Sequence, residues 1–97
     1  MKTIQLSEFG TFLGTRFLGE LVRNAVLEAL SENAQVCIDL AGVSDMTHSF
    51  SDELFGGAVA RLGLSEFRSR IRFSNASQEA KRAIQFVVSE RLRLAVA

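Results

Sequence analysis

QVCIDL, Gln35 to Leu40, is rich in β-branched residues and almost continuously apolar from Val36, broken only by Asp39 near its end. Such a run is too short for a helix of its own and predicts a central strand buried on both faces. The chain alternates around it. Upstream, from Thr15, the apolar residues Phe17, Leu18, Leu21, Val22, Ala25, Val26, Ala29 and Leu30 recur in pairs every three to four positions. Arg16, Glu20, Arg23, Asn24 and Glu28 fall on the other side, so the segment reads as an amphipathic helix. Thr15 suits its N-cap, and Asn33 can close it in the left-handed conformation. Earlier still, KTIQL alternates Thr3 and Gln5 with Ile4 and Leu6, a short strand with one buried face. GTFLGT follows as a turn or brief hairpin, which leaves the direction of that first strand open, an antiparallel edge included.

Downstream, AGVSDMTHS (Ala41 to Ser49) reads as a loop, and Phe50, Leu54, Phe55, Ala58, Val59 and Leu62 form a second helical stripe that Gly63 stops. FRSRIRFS alternates Arg70 and Arg72 with Ile71 and Phe73, a strand with one wet face. A last helix is expected from about Ser77, with Ala80, Ile84, Val87, Val88 and Leu92 inward and Glu79, Lys81, Arg82, Gln85 and Glu90 outward. Strand and helix thus alternate three times. That order predicts an α/β fold: one small domain over residues 1–97, with a mostly parallel mixed sheet of about four strands and helices packed on it.

Composition narrows the function classes. A chain of 97 residues, 47% apolar with eight Phe and no Pro, Trp or Tyr, is an ordered globule that buries about two thirds of its unfolded surface. Eleven basic and eleven acidic side chains cancel, so no global field draws it to nucleic acid or to an anionic membrane, and neither is expected as a partner. The arginines and lysines of the second half, from Arg61 to Arg93, read as solvated helix faces. One cysteine and one histidine offer no disulfide and no zinc spacing, so no metal or cofactor is expected; Cys37 reads as an inert core thiol. MKTIQLSEFG has no signal-peptide core, and no apolar run reaches the roughly 18 residues of a membrane span. The cytoplasm is the expected compartment.

SDMTHSFSDELFGG, Ser44 to Gly57, concentrates the polar chemistry. A nucleophile–base pair of Ser49 and His48, oriented by Asp45 or Asp52, is disfavoured because neighbouring side chains diverge, and no catalytic residue is assigned. Capping explains most of the stretch. Ser49 can accept the amide hydrogen of Asp52 while Asp52 returns toward the Ser49 amide, or Ser51 can cap one turn later, and Asp52 and Glu53 suit the helix dipole. Capping leaves Gly56 and Gly57 unexplained, since two adjacent glycines inside a helix cost about 2 kcal/mol relative to alanine. Something must approach them closely, either the sheet beneath or a partner above.

VCIDLAGVSDMTHSFSDELFGGAV (Val36 to Val59) resembles the strand–loop–helix signature of STAS domains, the fold of bacterial anti-sigma-factor antagonists. Closer still, GTRFLGELVR, IDLAGV, SFSDELFGG, IRFSNAS and VVSER resemble the STAS-like family of unknown function over nearly the whole chain. The resemblance puts Ser49 at the position of the regulatory phosphoserine, with Thr47 in place of the usual aspartate and Phe50 and Ser51 in place of Gly-Leu. It implies a small regulatory interaction module with Ser49, Ser51 and Thr47 as phosphorylation candidates. His48, Phe50, Asp52, Glu53, Gly56 and Gly57 would form the partner surface. The implied partner is a GHKL-type ATPase, histidine-kinase-like, acting as anti-sigma factor and serine kinase. The alternative is a non-switching structural subunit or a small-ligand-binding domain with its crevice at the strand C-terminal ends.

Overall fold

The computed structural model describes residues 1–96; residue 97, the last of the expected domain, lies outside them. In chain order the elements are β1 (Lys2–Gln5), a 3-10 turn (Leu6–Phe9), β2 (Phe12–Leu13), α1 (Arg16–Glu32), β3 (Val36–Asp39) and β4 (Asp45–Met46). They continue with α2 (His48–Ser51), a π-turn (Asp52–Gly56), α3 (Gly57–Leu62), α4 (Leu64–Arg70), β5 (Ile71–Ser74) and α5 (Gln78–Val96). The fold is α/β. The QVCIDL strand is central, as its apolar content requires: β1, β3 and β5 lie side by side in that order, and both pairings are parallel. The first strand is therefore an edge strand, but parallel rather than antiparallel.

In register, Ile4, Ile38 and Phe73 share one face, and Thr3, Cys37 and Arg72 share the other. Only the first of these faces is core. Phe55 of the π-turn meets Phe73 edge-on at 5.7 Å, and Val22, Val26, Leu54, Val59 and Val87 complete the buried cluster with Val36 and Ile38. On the opposite face Thr3, Gln5 and Arg72 are exposed and Cys37 is only half-buried, its thiol 3.5 Å from the Ser74 hydroxyl. The expectation of a strand buried on both faces is thus corrected: the helices whose side chains fill the core pack on the Ile38 side.

A second, two-stranded sheet joins segments read as turn and loop. β2 pairs parallel with β4, Leu13 opposite Met46. The Thr47 N–H continues the contact by donating to the Leu13 carbonyl at 3.0 Å.

α1 begins as expected, with the Thr15 hydroxyl accepting the Leu18 N–H at 3.0 Å. Its end differs. Asn33 is extended (φ −134°), and its side-chain amide donates to the Ala29 carbonyl. Arg70 donates to the Leu30 carbonyl in the last turn of α1 at 2.6 Å and, just past the helix, to those of Asn33 and Ala34 at 3.0 Å each. A cation there also complements the helix dipole. Arg70 is accordingly not on a strand. The alternation in FRSRIRFS is strand only from Ile71, because Gly63, at φ 82°, ends α3 and lets α4 start at once, burying Phe67. The last helix starts where expected, with the Ser77 hydroxyl accepting the Ala80 N–H.

The buried face of α1 is also rotated from its apolar stripe. Phe17 and Leu21 are 72% and 47% exposed, whereas Gly19 and Arg23 are buried. Close crossing explains the rotation, for a Cβ on Gly19 would lie 2.8 Å from the Phe50 carbonyl oxygen and 2.9 Å from the Glu53 Cβ. Only the glycine side of α1 can press this near to α2 and the π-turn. Gly19→Ala should therefore destabilise the fold by about 1 to 3 kcal/mol through overpacking, read from the urea midpoint. An unchanged midpoint would show that the crossing has room to relax.

Candidate functional site

The segment from Ser44 to Gly57 carries the candidate site, and its helix starts earlier than the capping expectation allowed. Thr47, extended at φ −76° and ψ 160°, is the N-cap: its hydroxyl accepts the Phe50 N–H at 3.2 Å and donates to the Gly14 carbonyl at 3.0 Å. Neither Ser49 nor Ser51 caps, and Asp52 does not return to the Ser49 amide. The tie to Gly14, next to β2, sets the start at Thr47, a tertiary contact invisible in the local pattern.

From this start the helical turn sorts the neighbours. His48, exposed, lies edge-on to Phe86 of α5 at 5.8 Å. Ser49, the second helical residue, is half-buried, and its hydroxyl has no hydrogen bond among the described residues. Phe50 is fully buried, and Ser51 is 1% exposed with its hydroxyl unpartnered among the described residues. Phe50 therefore belongs to the core rather than to a surface, and the Ser51 hydroxyl is out of reach of an enzyme.

Asp52 and Glu53 are occupied within the fold. The half-exposed Arg16 guanidinium bridges them, 2.9 Å from the Asp52 carboxylate and 3.1 Å from that of Glu53. Arg91 of α5 holds the Asp52 carboxylate at 3.2 Å, and Arg23, nearly buried, pairs with the Glu53 carboxylate. The Arg91 hydrogen bond, with Arg16 behind it, keeps the Asp52 carboxyl below its usual range. Arg23 and then Arg16 do the same for Glu53.

The same arginines account for the glycine pair. Across the π-turn the Gly57 N–H bonds back to the Asp52 carbonyl, five residues earlier. Arg23 donates to the Glu53 carbonyl at 3.1 Å and Arg91 to that of Asp52 at 3.4 Å, so side chains supply donors to the widened turn. To reach them they must cross the helix surface. A Cβ on Gly57 would lie 2.7 Å from Arg23 Nη1, and one on Gly56 would lie 3.1 Å from Arg91 Cγ. What approaches Gly56 and Gly57 is thus neither sheet nor partner but two arginines of the same chain, and both glycines are buried.

The sequence places Arg16 and Arg23 on the solvent side of α1 and Arg91 among solvated helix faces, and gives none of them a role in the site. One signal was present: Arg16, Gly19 and Arg23 recur at helical spacing on one face of α1, opposite an Asp-Glu pair followed shortly by Gly-Gly. A separate cavity of about 320 Å³ opens at the C-terminal ends of β3 and β5, lined by Leu40, Val43, Met46, Asn75, Ser77 and Ala80 among others. Among the described residues no group of three or more His, Cys, Asp or Glu is placed to hold a metal ion, and no helix is long and apolar enough to cross a membrane.

Parallel strands backed by helices on one face, with a capped helix start after the central strand, define a small α/β domain. The chain belongs to the family described as a STAS-like domain of unknown function (DUF4325), whose profile matches residues 18–81. No curated protein and no solved structure matches it. Membership supports a regulatory or interaction module in general terms.

Proposed function

We propose that this chain is a single-domain, cytoplasmic regulatory module that docks a partner protein through the start of α2, and that phosphorylation of Ser49 switches the docking off. The observation that carries the reading is the sorting of the three hydroxyls. Thr47 is committed to its cap, Ser51 is inside, and Ser49 is partly exposed with its hydroxyl unengaged among the described residues. A phosphate there sits in the first turn of a helix, where free amides and the dipole favour it. The carboxylates one helical turn on, Asp52 and Glu53, oppose it little because three arginines already pair with them. His48 and Phe86 flank the position and supply contact area. The partner class that fits such a switch is a GHKL-type ATPase that is both anti-sigma factor and serine kinase, with this chain as substrate and ligand rather than enzyme.

Ser49→Asp should retain the fold, since a carboxylate in the first helical turn suits the dipole. It should weaken partner binding by about 1 to 3 kcal/mol where the residue is central to the interface. The chain is incubated with ATP and a GHKL-type ATPase of the same organism, and phosphate is mapped by mass spectrometry. Incorporation at Ser49 and not at Ser51 is the expected result. No incorporation, together with undiminished binding of Ser49→Asp, would remove the switch.

The 320 Å³ cavity favours a second reading, a domain that holds a small polar ligand at the strand ends. Native mass spectrometry of the purified protein tests it, a retained small molecule supporting it over the switch.

A further inference from the structure

β5 ends the three-stranded sheet, so the backbone N–H and C=O groups on its side away from β3 have no strand beside them among the described residues. Where β5 ends lies a groove of about 430 Å³, lined by Phe73 of the strand, by Asn75 and Ala76 just after it and by Lys81, Ile84 and Gln85 of α5. Its floor is apolar through Phe73, Ala76 and Ile84, and Lys81 stands exposed at its rim. Because side chains alternate along a strand, Arg72 projects to the other face of the same edge, where it is exposed. Neither Arg72 nor Lys81 makes an ion pair among the described residues.

We propose that an extended segment of a partner protein, alternating apolar and acidic residues, adds to β5 as a fourth strand. Backbone hydrogen bonds along the edge supply affinity, and alternate side chains supply specificity. Apolar side chains on one face of the segment enter the groove over Phe73 and Ile84. Carboxylates on its other face meet Arg72, and Lys81 adds a second cation at the rim. A second copy of this chain is the poorer occupant, since antiparallel pairing of β5 with its symmetry mate puts the two Arg72 side chains on the same face of a four-residue ladder. This groove shares no residue with the start of α2 or with Phe86, so it stands or falls independently of the switch.

The test uses the full, isotope-labelled chain and two synthetic peptides of equal length, one alternating Val and Glu, the other Val and Lys. Amide shifts on adding the Val-Glu peptide should be confined to residues 71–76 and 81–85, with slowed exchange of the outward amides of β5. The double variant Arg72→Glu, Lys81→Glu, both exposed positions, should bind about tenfold more weakly, and the Val-Lys peptide should not bind wild type. Equal binding of the two peptides, shifts centred on residues 47–53, or self-association through β5 would each overturn the proposal.

Discussion

Glu53→Ala should destabilise the protein by about 3 to 5 kcal/mol, the scale expected when one member of a buried ion pair is removed and the other left behind. The charge left behind is Arg23, whose side chain is 9% exposed and whose Nε has no partner among the described residues. Without the carboxylate it keeps only the Glu53 carbonyl. Arg16 also loses a contact, but half of its side chain is in water and that loss is small. Urea unfolding should show a lower midpoint with an unchanged slope. Pairing the change with Arg23→Met should restore much of the loss, because an apolar side chain of similar reach needs no counter-charge. A cost below about 1 kcal/mol would mean that Arg23 swings out to solvent.

Acid dependence is part of the same expectation. Asp52 and Glu53 are both held below their ordinary values, so at acid pH the unfolded chain binds more protons than the folded one. Their contribution is present above the unfolded carboxylate range, about 4, and is lost as pH falls through the lower folded values. Wild type should lose stability on acidification from about pH 5 downward, and Glu53→Ala should lose less over the same interval, as read by midpoints at successive pH.

Leu54→Ala carries the second large effect, about 2 to 5 kcal/mol for truncating a core leucine. Leu54 is fully buried, in the π-turn between Phe50 and Phe55 of the same buried stripe. A rigid surround limits collapse into the void: arginines clamp the turn from two sides and the Gly19 crossing abuts the Leu54 amide. Leu62→Ala, at the half-buried end of the stripe, should cost clearly less. Equal melting temperatures for wild type and Leu54→Ala would contradict the packing of this helix against the sheet.

How far the candidate site was legible varies residue by residue. Its place, at the helix start after the central strand, followed from the run of hydroxyls ahead of an apolar stripe. Which hydroxyl caps did not, because Thr47, Ser49 and Ser51 are chemically similar and the choice is made by the Gly14 carbonyl, 33 residues away. The glycine pair correctly signalled a close approach. Its cause was hidden, since Arg23 sat among residues assigned to solvent by a helical stripe wider than the face that packs.

What the sequence determines by itself is what is decided within a few residues of chain. The alternation around Ile4, the helical periodicity from Phe17 to Leu30, the Thr15 cap, the start of the last helix near Ser77 and the Gly63 break all act over one turn of helix or one stretch of strand. Together they suffice for an α/β order with QVCIDL at its centre. Tertiary structure alone decides the rest. β2 and β4 are two residues each, too short to carry a period, and exist because they pair across the chain. Arg16, Arg23 and Arg91 reach Asp52 and Glu53 only once α1 and α5 cross the π-turn, at separations of 30 residues or more. A guanidinium can leave water on one helix only if another helix brings it a carboxylate, and local periodicity holds no record of that meeting.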